Sequence, residues 1–263
     1  MLARLAGLFL LPEVRGMSRD DPRLVDIHAG IIRGKGFLRR VYERQYRRLV
    51  EALEGAAPGP VFELGSGGGF LKEVLPGVVT TDVAPGPGVD GVMDAAALDA
   101  GDGSLGGLVM LNVFHHLPDP RGFLREAQRA LRPGGRVVMI EPAHSLLWAR
   151  LYRWFSDEPY DEAAPGWGAA AGGRMSGANV PLAWIVFVRD RAAFEAEFPG
   201  LVIARPVRPH TAFLYLVSGG IWYRSLMPGW TFPAWVLVEA VLAPVMRWIA
   251  CEVTIVLEKR RTA

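Results

Sequence analysis

Residues 61–70 read VFELGSGGGF, a short apolar run holding one acid, followed by four glycines within five positions. The run has the length of a buried strand. Glycines directly after a strand permit positive φ and let a ligand approach the backbone closely, and FLKEVL at 70–75 reads as the start of a following helix. Glu63, near the carboxyl end of the strand, sets the sign of that ligand. A dinucleotide fingerprint requires G-x-G-x-x-G, yet counting from Gly65 puts Phe70 where the third glycine belongs. A carboxylate beside a pyrophosphate would also add like charge. The stretch suits a cationic ligand.

Working outward, short apolar runs recur at 78–83 (VVTTDV), 91–94 (GVMD), 105–113 (LGGLVMLNV), 134–142 (GGRVVMIEP), 201–207 (LVIARPV) and 251–259 (CEVTIVLEK). Helical patterns at about 120–132 and 189–200 alternate with them. Strands separated by helices predict an α/β fold, with a doubly wound, mostly parallel, seven-stranded sheet covered by helices on both faces. Upstream, residues 20–53 are helical in character, with Phe37, Val41, Tyr42, Tyr46, Leu49, Val50 and Leu53 spaced at three and four and basic residues on the other face. The expected organisation is a single domain over 1–263, with an N-terminal helical cap at 1–54 and a ligand-binding core at 60–142. Two further segments, 143–188 and 211–250, depart from the rhythm. The first is irregular over 144–182 and the second is an aromatic-rich insertion before the last strand; both read as lid, substrate-binding or membrane-interface elements.

Twenty-nine basic residues face 27 acidic ones, giving a formal charge of +2, too mild to indicate nucleic acid. Cys251 is the single cysteine, so no intrachain disulfide exists and a reducing, cytoplasmic setting fits. MLARLAGLFLLPEVRG, at the start, has no small-residue cleavage pattern and reads as no signal peptide.

The pattern acid, one residue, G-x-G-x-G at Glu63-Leu64-Gly65-Ser66-Gly67-Gly68-Gly69 resembles motif I of the class I S-adenosylmethionine-dependent methyltransferases. The resemblance runs to residue 142: TTD at 80–82, Asp94-Ala95, LNVFHHLPDP at 111–120 and LRPGGRVVMIEP at 131–142 look like the later strand motifs of small-molecule enzymes grouped with ubiquinone-biosynthesis methyltransferases. It implies a Rossmann-like sheet and S-adenosyl-L-methionine as cofactor. It also implies roles: Glu63 holding the cofactor ammonium, Gly65, Ser66 and Gly67 passing beneath the methionine end, Asp82 accepting from both ribose hydroxyls, and Val83, Asp94 and Ala95 around adenine. Asn112 would line the same site, and no metal is expected.

Methyl transfer from a sulfonium is an in-line displacement, for which positioning in a dry pocket is the main requirement. If the acceptor is a hydroxyl, His115, just beyond the fourth strand, is the candidate general base. His116 reads instead as bonded to nearby backbone where a helix begins, His144 and His210 as surface or packing residues, and Cys251 as filling space. Glu141 ends a strand near the pocket. Asp157, Glu158, Asp161 and Glu162 read as solvated loop carboxylates. Residues 230–250, WTFPAWVLVEAVLAPVMRWIA, are interrupted by Glu239, Pro244 and Arg247, which argues against a membrane span and for a lid or an interfacial element. With the basic stretch at 33–48, this favours a small-molecule or lipid-like acceptor, with peripheral membrane contact as a companion expectation. The competing readings are a noncatalytic ligand sensor or scaffold on the same fold and, less well matched, a nicotinamide-dependent oxidoreductase. The oligomeric state stays open at this level.

Overall fold

The computed structural model describes residues 9–155, 158–169, 172–173 and 175–261; most of the apolar opening stretch and Asp157 lie outside the described residues. Eight strands form one sheet: β1 (Val61–Leu64), β2 (Val79–Asp82), β3 (Gly91–Val92), β4 (Leu105–Leu111), β5 (Leu131–Pro142), β6 (Leu201–Ile203), β7 (Arg208–His210) and β8 (Glu252–Lys259). Their order is β3-β2-β1-β4-β5-β8-β6, with β7 also paired to β8. The first five strands are parallel and β8 runs antiparallel to β5. Seven strands were expected. The eighth arises because the predicted run at 201–207 breaks: β6 pairs with the end of β8 and β7 with its start, along the same edge. Ala204 still donates to Val256 at 2.8 Å. Pro206 has no N–H with which to continue the ladder.

Burial follows the two-residue period of a strand. Leu108 and Met110 of β4, Val137 and Met139 of β5 and Ile255 and Leu257 of β8 enter one core, whereas Val109, Val138, Ile140 and Val256 enter another on the opposite face. Two helices cover that second face, α1 (Leu24–Gly34) and α2 (Gly36–Leu53). The predicted single helical stretch is therefore broken at Lys35, whose backbone is extended (φ −90°, ψ 96°). Its Nζ donates to the carbonyls of Gly220 and Tyr223 at 2.6 and 2.7 Å, tying the helix junction to the distant insertion.

The first face is covered by α3 (Pro120–Ala130), whose Asp119 cap accepts from Gly122 N–H at 2.8 Å and whose first position is proline, both standard helix starts. Next, α4 (Leu146–Phe155) rises from the segment read as irregular, and α5 (Leu182–Trp184) runs into a π-helical turn, Ile185–Arg189, before α6 (Arg191–Glu197).

The helix expected at 70–75 is absent. Only a 3-10 turn, Leu71–Glu73, follows the glycines, and α1 and α2 occupy the space instead. A Cβ on Gly68 would stand 2.5 Å from the Ala29 nitrogen of α1, and one on Gly69 would collide with the Tyr46 hydroxyl of α2. Two of the four glycines thus serve helix packing.

The insertion folds as α7 (Leu214–Ser218), α8 (Phe232–Val241) and α9 (Met246–Ile249). Glu239, which looked like a charge within an apolar run, is buried. Its Oε1 accepts from the N–H groups of Ala212, Phe213 and Leu214 at 2.8, 3.1 and 3.3 Å, capping α7. Among the described residues no single helix is long and apolar enough to cross a membrane; the pair 229–241 and 243–249 passes by length and composition but bends by 58°.

Candidate functional site

The strand order reverses between β1 and β4, and such sheets hold ligands in the crevice beyond the carboxyl ends at that point. A cavity of about 1150 Å³ opens there. It is lined by Glu63, Gly65, Ser66 and Gly67 after β1, Asp82 and Val83 after β2, Asp94 and Ala95 after β3, and Asn112 and His115 after β4. All ten residues singled out in the sequence meet in one place.

The glycine loop is held from beneath. Ser66 donates through both its N–H and its hydroxyl to the Thr81 carbonyl, at 2.9 and 3.1 Å. Gly67 N–H donates to Asp82 Oδ2 at 2.9 Å, and Ala84 N–H to Asp82 Oδ1 at 3.2 Å. Asp82 therefore fixes the loop while its carboxylate retains acceptor capacity, since each oxygen can take two donors. Gly65 has φ +70° and Gly67 φ +51°, and a Cβ on Gly67 would meet nothing within 4 Å. Gly67 differs from Gly68 and Gly69 in this: its missing side chain leaves room in the cavity. Asn112 also has positive φ, 56°, where a carboxamide residue is tolerated better than most, and its N–H is anchored to the Ile140 carbonyl at 2.8 Å.

Glu63 is only 3% exposed, and its Oε2 has no hydrogen-bond partner. Burial, aided by the charge of Asp82 and opposed by the nearby Ser66 hydroxyl, pushes its carboxyl up to about 7. A buried carboxylate left short of donors fits a cationic ligand, and the ammonium of S-adenosylmethionine is such a group. On these two observations, the orphaned oxygen and the open face of Gly67, the residues present fit the cofactor.

Beyond β4 the cavity wall turns strongly polar. Glu141, fully buried at the end of β5, accepts from the N–H groups of Val113 and Phe114 at 2.9 and 2.8 Å and faces His115 Nδ1 at 2.6 Å. His115 Nε2 lies 3.7 Å from Glu158 Oε2. Burial alone would lower this imidazole, but the two carboxylates outweigh it and hold it up at about 9. An imidazole held charged is a donor, so in this arrangement His115 takes no proton at neutral pH, contrary to the expected general base. The backbone partner of His116 is not its neighbour in sequence: Nδ1 meets the Gly177 carbonyl at 2.9 Å, 61 residues away.

Three functional candidates escaped the sequence reading. Glu158, taken for a solvated loop acid, pairs with Arg19 at 3.2 Å and faces His115; burial would raise it, yet His115 holds it down at about 2. Glu252, at the start of β8, lines the cavity, accepts from Gln45 Nε2 at 2.7 Å, and is pushed up to about 7 by burial. Arg19 sits in no periodic pattern. None of the three had a local signal, because each gains its role from a contact more than 100 residues away along the chain. His144, by contrast, is a packing residue as expected, stacked on Trp184 with ring centroids 4.1 Å apart.

Comparison with known proteins adds the following. Residues 37–170 match the family model described as "Methyltransferase domain". No curated protein matches the sequence. Among solved structures, a geranyl diphosphate C-methyltransferase from Streptomyces coelicolor A3(2) aligns at 15% identity and TM-score 0.45 over 85% of this chain and 80% of that one. A phosphoethanolamine N-methyltransferase of Haemonchus contortus aligns at 12% and 0.46 over 83% and 53%, and the [4+2]-cyclase SpnF at 12% and 0.46 over 84% and 81%.

Proposed function

The chain belongs to the methyltransferase-domain family and uses S-adenosylmethionine, and from that premise we propose that it methylates an apolar, lipid-like small molecule lodged in the cavity beside the cofactor. The cofactor supplies a methyl group on a sulfonium that is already a good leaving group. The chain's own residues bind, orient and exclude water. Glu63 would hold the ammonium, Gly65 and Gly67 would give the methionine end room, and Asp82 would accept from the ribose hydroxyls. Val83, Asp94 and Ala95 would border the base, with Asn112 and Ser66 completing the rim. No general base is required of the protein if the acceptor is a carbon or an amine.

The orphaned carboxylate of Glu63 carries the cofactor assignment. Support for the acceptor comes from the rest of the cavity. At about 1150 Å³ it exceeds the roughly 300–1,000 Å³ of sites for one small molecule, leaving room for a second ligand. Its lining also carries Trp148, Leu151, Tyr152, Tyr215, Leu216 and Trp222, drawn from α4 and the first half of the insertion. That composition favours hydrocarbon or ring surface over a small polar acceptor. Incubating the chain with methyl-labelled S-adenosylmethionine and either a total lipid extract or a water-soluble metabolite pool tests the reading: label is expected in the organic phase, and label confined to water-soluble products would refute the lipid-like acceptor.

A companion reading, peripheral contact with an anionic membrane, is favoured by the second half of the insertion, which lies outside the cavity lining. Trp230, Leu237 and Val241 are 79%, 66% and 72% exposed, and Arg247 stacks over Trp248 at 3.8 Å. The start of α8 rests on arginine-rich α2 through the Phe37–Phe232 ring contact at 5.2 Å. Exposed tryptophans beside cations suit an interface of acyl chains and anionic headgroups. The protein should float with anionic liposomes at low salt and lose that in a Trp230→Ser, Leu237→Ser, Val241→Ser variant; failure of the wild type to float would remove this reading.

A further inference from the structure

The cavity that holds the cofactor residues also holds a second constellation, beyond the end of β4. His115, His116 and Glu158 each present one ligand-type atom, and these atoms all lie within 4.8 Å of one another, in a pocket that all three residues line. What sets the cluster apart from a chance meeting of polar side chains is how each is held. The Nδ1 of His115 faces Glu141 Oε2 at 2.6 Å, and that of His116 faces the Gly177 carbonyl at 2.9 Å. A carbonyl only accepts, and the Glu141 carboxylate already accepts from three backbone N–H groups, so both Nδ1 atoms carry the proton. The Nε2 atoms are then the ring nitrogens left to serve as ligands, and that of His115 already faces Glu158. Glu158 is divided in the same manner: Arg19 takes Oε1 at 3.2 Å while Oε2 lies 3.7 Å from His115 Nε2.

We infer that His115 Nε2, His116 Nε2 and Glu158 Oε2 form a binding site for a divalent transition-metal ion, oriented by Glu141, Gly177 and Arg19. The reasoning is chemical. Two imidazoles and one carboxylate make a three-ligand face suited to Zn²⁺, Fe²⁺ or Ni²⁺ rather than to Mg²⁺, which prefers oxygen donors in octahedral geometry. Metal-bound histidines nearly always donate their second N–H to a carboxylate or backbone carbonyl, and here both partners are present before any ion is added. Bonds of about 2.0–2.2 Å at a tetrahedral angle set the ligand atoms about 3.4 Å apart, so the 3.7 Å His115–Glu158 pair closes slightly and the other separations, up to 4.8 Å, close further as the side chains turn onto the ion. Protons and the ion compete for the same imidazole nitrogens, so binding should strengthen as pH rises. Three protein ligands leave positions open toward the cavity. There the ion would bind an oxygen of the acceptor, a consequence that rests on the methyl-transfer reading, whereas the metal site itself does not.

The test uses the full-length protein stripped with chelator and titrated with Zn²⁺ against a chromogenic competitor, with Mg²⁺ as comparison. One Zn²⁺ per chain is expected, bound at least a hundredfold more tightly than Mg²⁺. His116→Gln and Glu158→Gln should each weaken Zn²⁺ by tenfold or more, and His144→Asn should leave it unchanged. Binding of S-adenosylhomocysteine by each variant, a readout of the residues around Glu63 and Asp82, shows that the fold is intact. Absence of stoichiometric Zn²⁺ uptake by the wild type would overturn the inference, as would uptake unaltered in either ligand variant.

Discussion

Replacing Glu63 with glutamine should make the protein more stable and less able to bind its cofactor, and the two effects should separate by pH. In the folded chain burial raises the Glu63 carboxyl from 4.5 to about 7. A folded pKa above the unfolded one means that stability is complete below the unfolded value and is lost as pH rises through the folded value. At pH 8 that cost comes to about 3 kcal/mol, and at pH 5 it is under about 1 kcal/mol, taking about 1.4 kcal/mol per unit. An amide of the same shape has no charge to bury. For a chain of this size about 1 kcal/mol corresponds to roughly 2–4 °C, so Glu63→Gln should raise Tm by roughly 6–12 °C at pH 8 and by little at pH 5. Cofactor affinity should move the other way: losing a charge-assisted hydrogen bond to the ammonium costs about 1.5–3 kcal/mol, a roughly 10- to 150-fold weaker Kd. The wild-type Kd should also tighten between pH 6 and pH 7.5 as Glu63 ionises, while the variant stays flat. Thermal unfolding at both pH values and calorimetric titration with S-adenosylmethionine measure all of this. A variant binding within threefold of the wild type, or no Tm gain at pH 8, would refute the assignment of Glu63.

Other substitutions should divide as cleanly. Gly68→Ala forces a Cβ to 2.5 Å from the Ala29 nitrogen and should cost about 1–3 kcal/mol in unfolding free energy with cofactor affinity little changed in the folded fraction, while Gly67→Ala, with an open space but φ +51°, should cost about 1–2 kcal/mol and weaken cofactor binding markedly; denaturant melts and titrations distinguish them. Glu239→Ala strips the cap from three N–H groups at the start of α7 and should destabilise by about 2 kcal/mol in denaturant melts, loosening the cavity wall carried by that helix. Because His115 is raised to about 9 by Glu141 and Glu158 against the effect of burial, the stabilisation from this contact is full below about pH 6.5 and fades as pH climbs through 9. Glu141→Gln in chelator-treated protein should therefore lower stability most in the acidic range and shift the His115 NMR titration midpoint to below 8; a midpoint unmoved from 9 would contradict the role given to Glu141.

What could be read from sequence was whatever a strand carries to its own end. Glu63 sits within a short apolar run, Asp82 closes a strand and Asn112 directly follows one, so the pattern that marks each strand also marks the residue near its carboxyl end. What could not be read depends on pairs brought together from afar. Gly68 and Gly69 look like ligand glycines until Ala29 and Tyr46 are seen against them. The missing helix after the loop follows from the same contacts, since α1 and α2 already fill its space. Lys35 breaks a continuous helical pattern through hydrogen bonds to Gly220 and Tyr223, which no window of local sequence contains. The divided insertion, half cavity wall and half exposed apolar face, likewise turns on Glu239 reaching back to Ala212.

The account stands most directly on where the sulfur nucleoside sits. A crystal structure of the chain with S-adenosylhomocysteine should place the ammonium against Glu63 and the ribose hydroxyls against Asp82, with the sulfur facing the aromatic half of the cavity. Binding elsewhere, or no density with millimolar nucleoside, would contradict it.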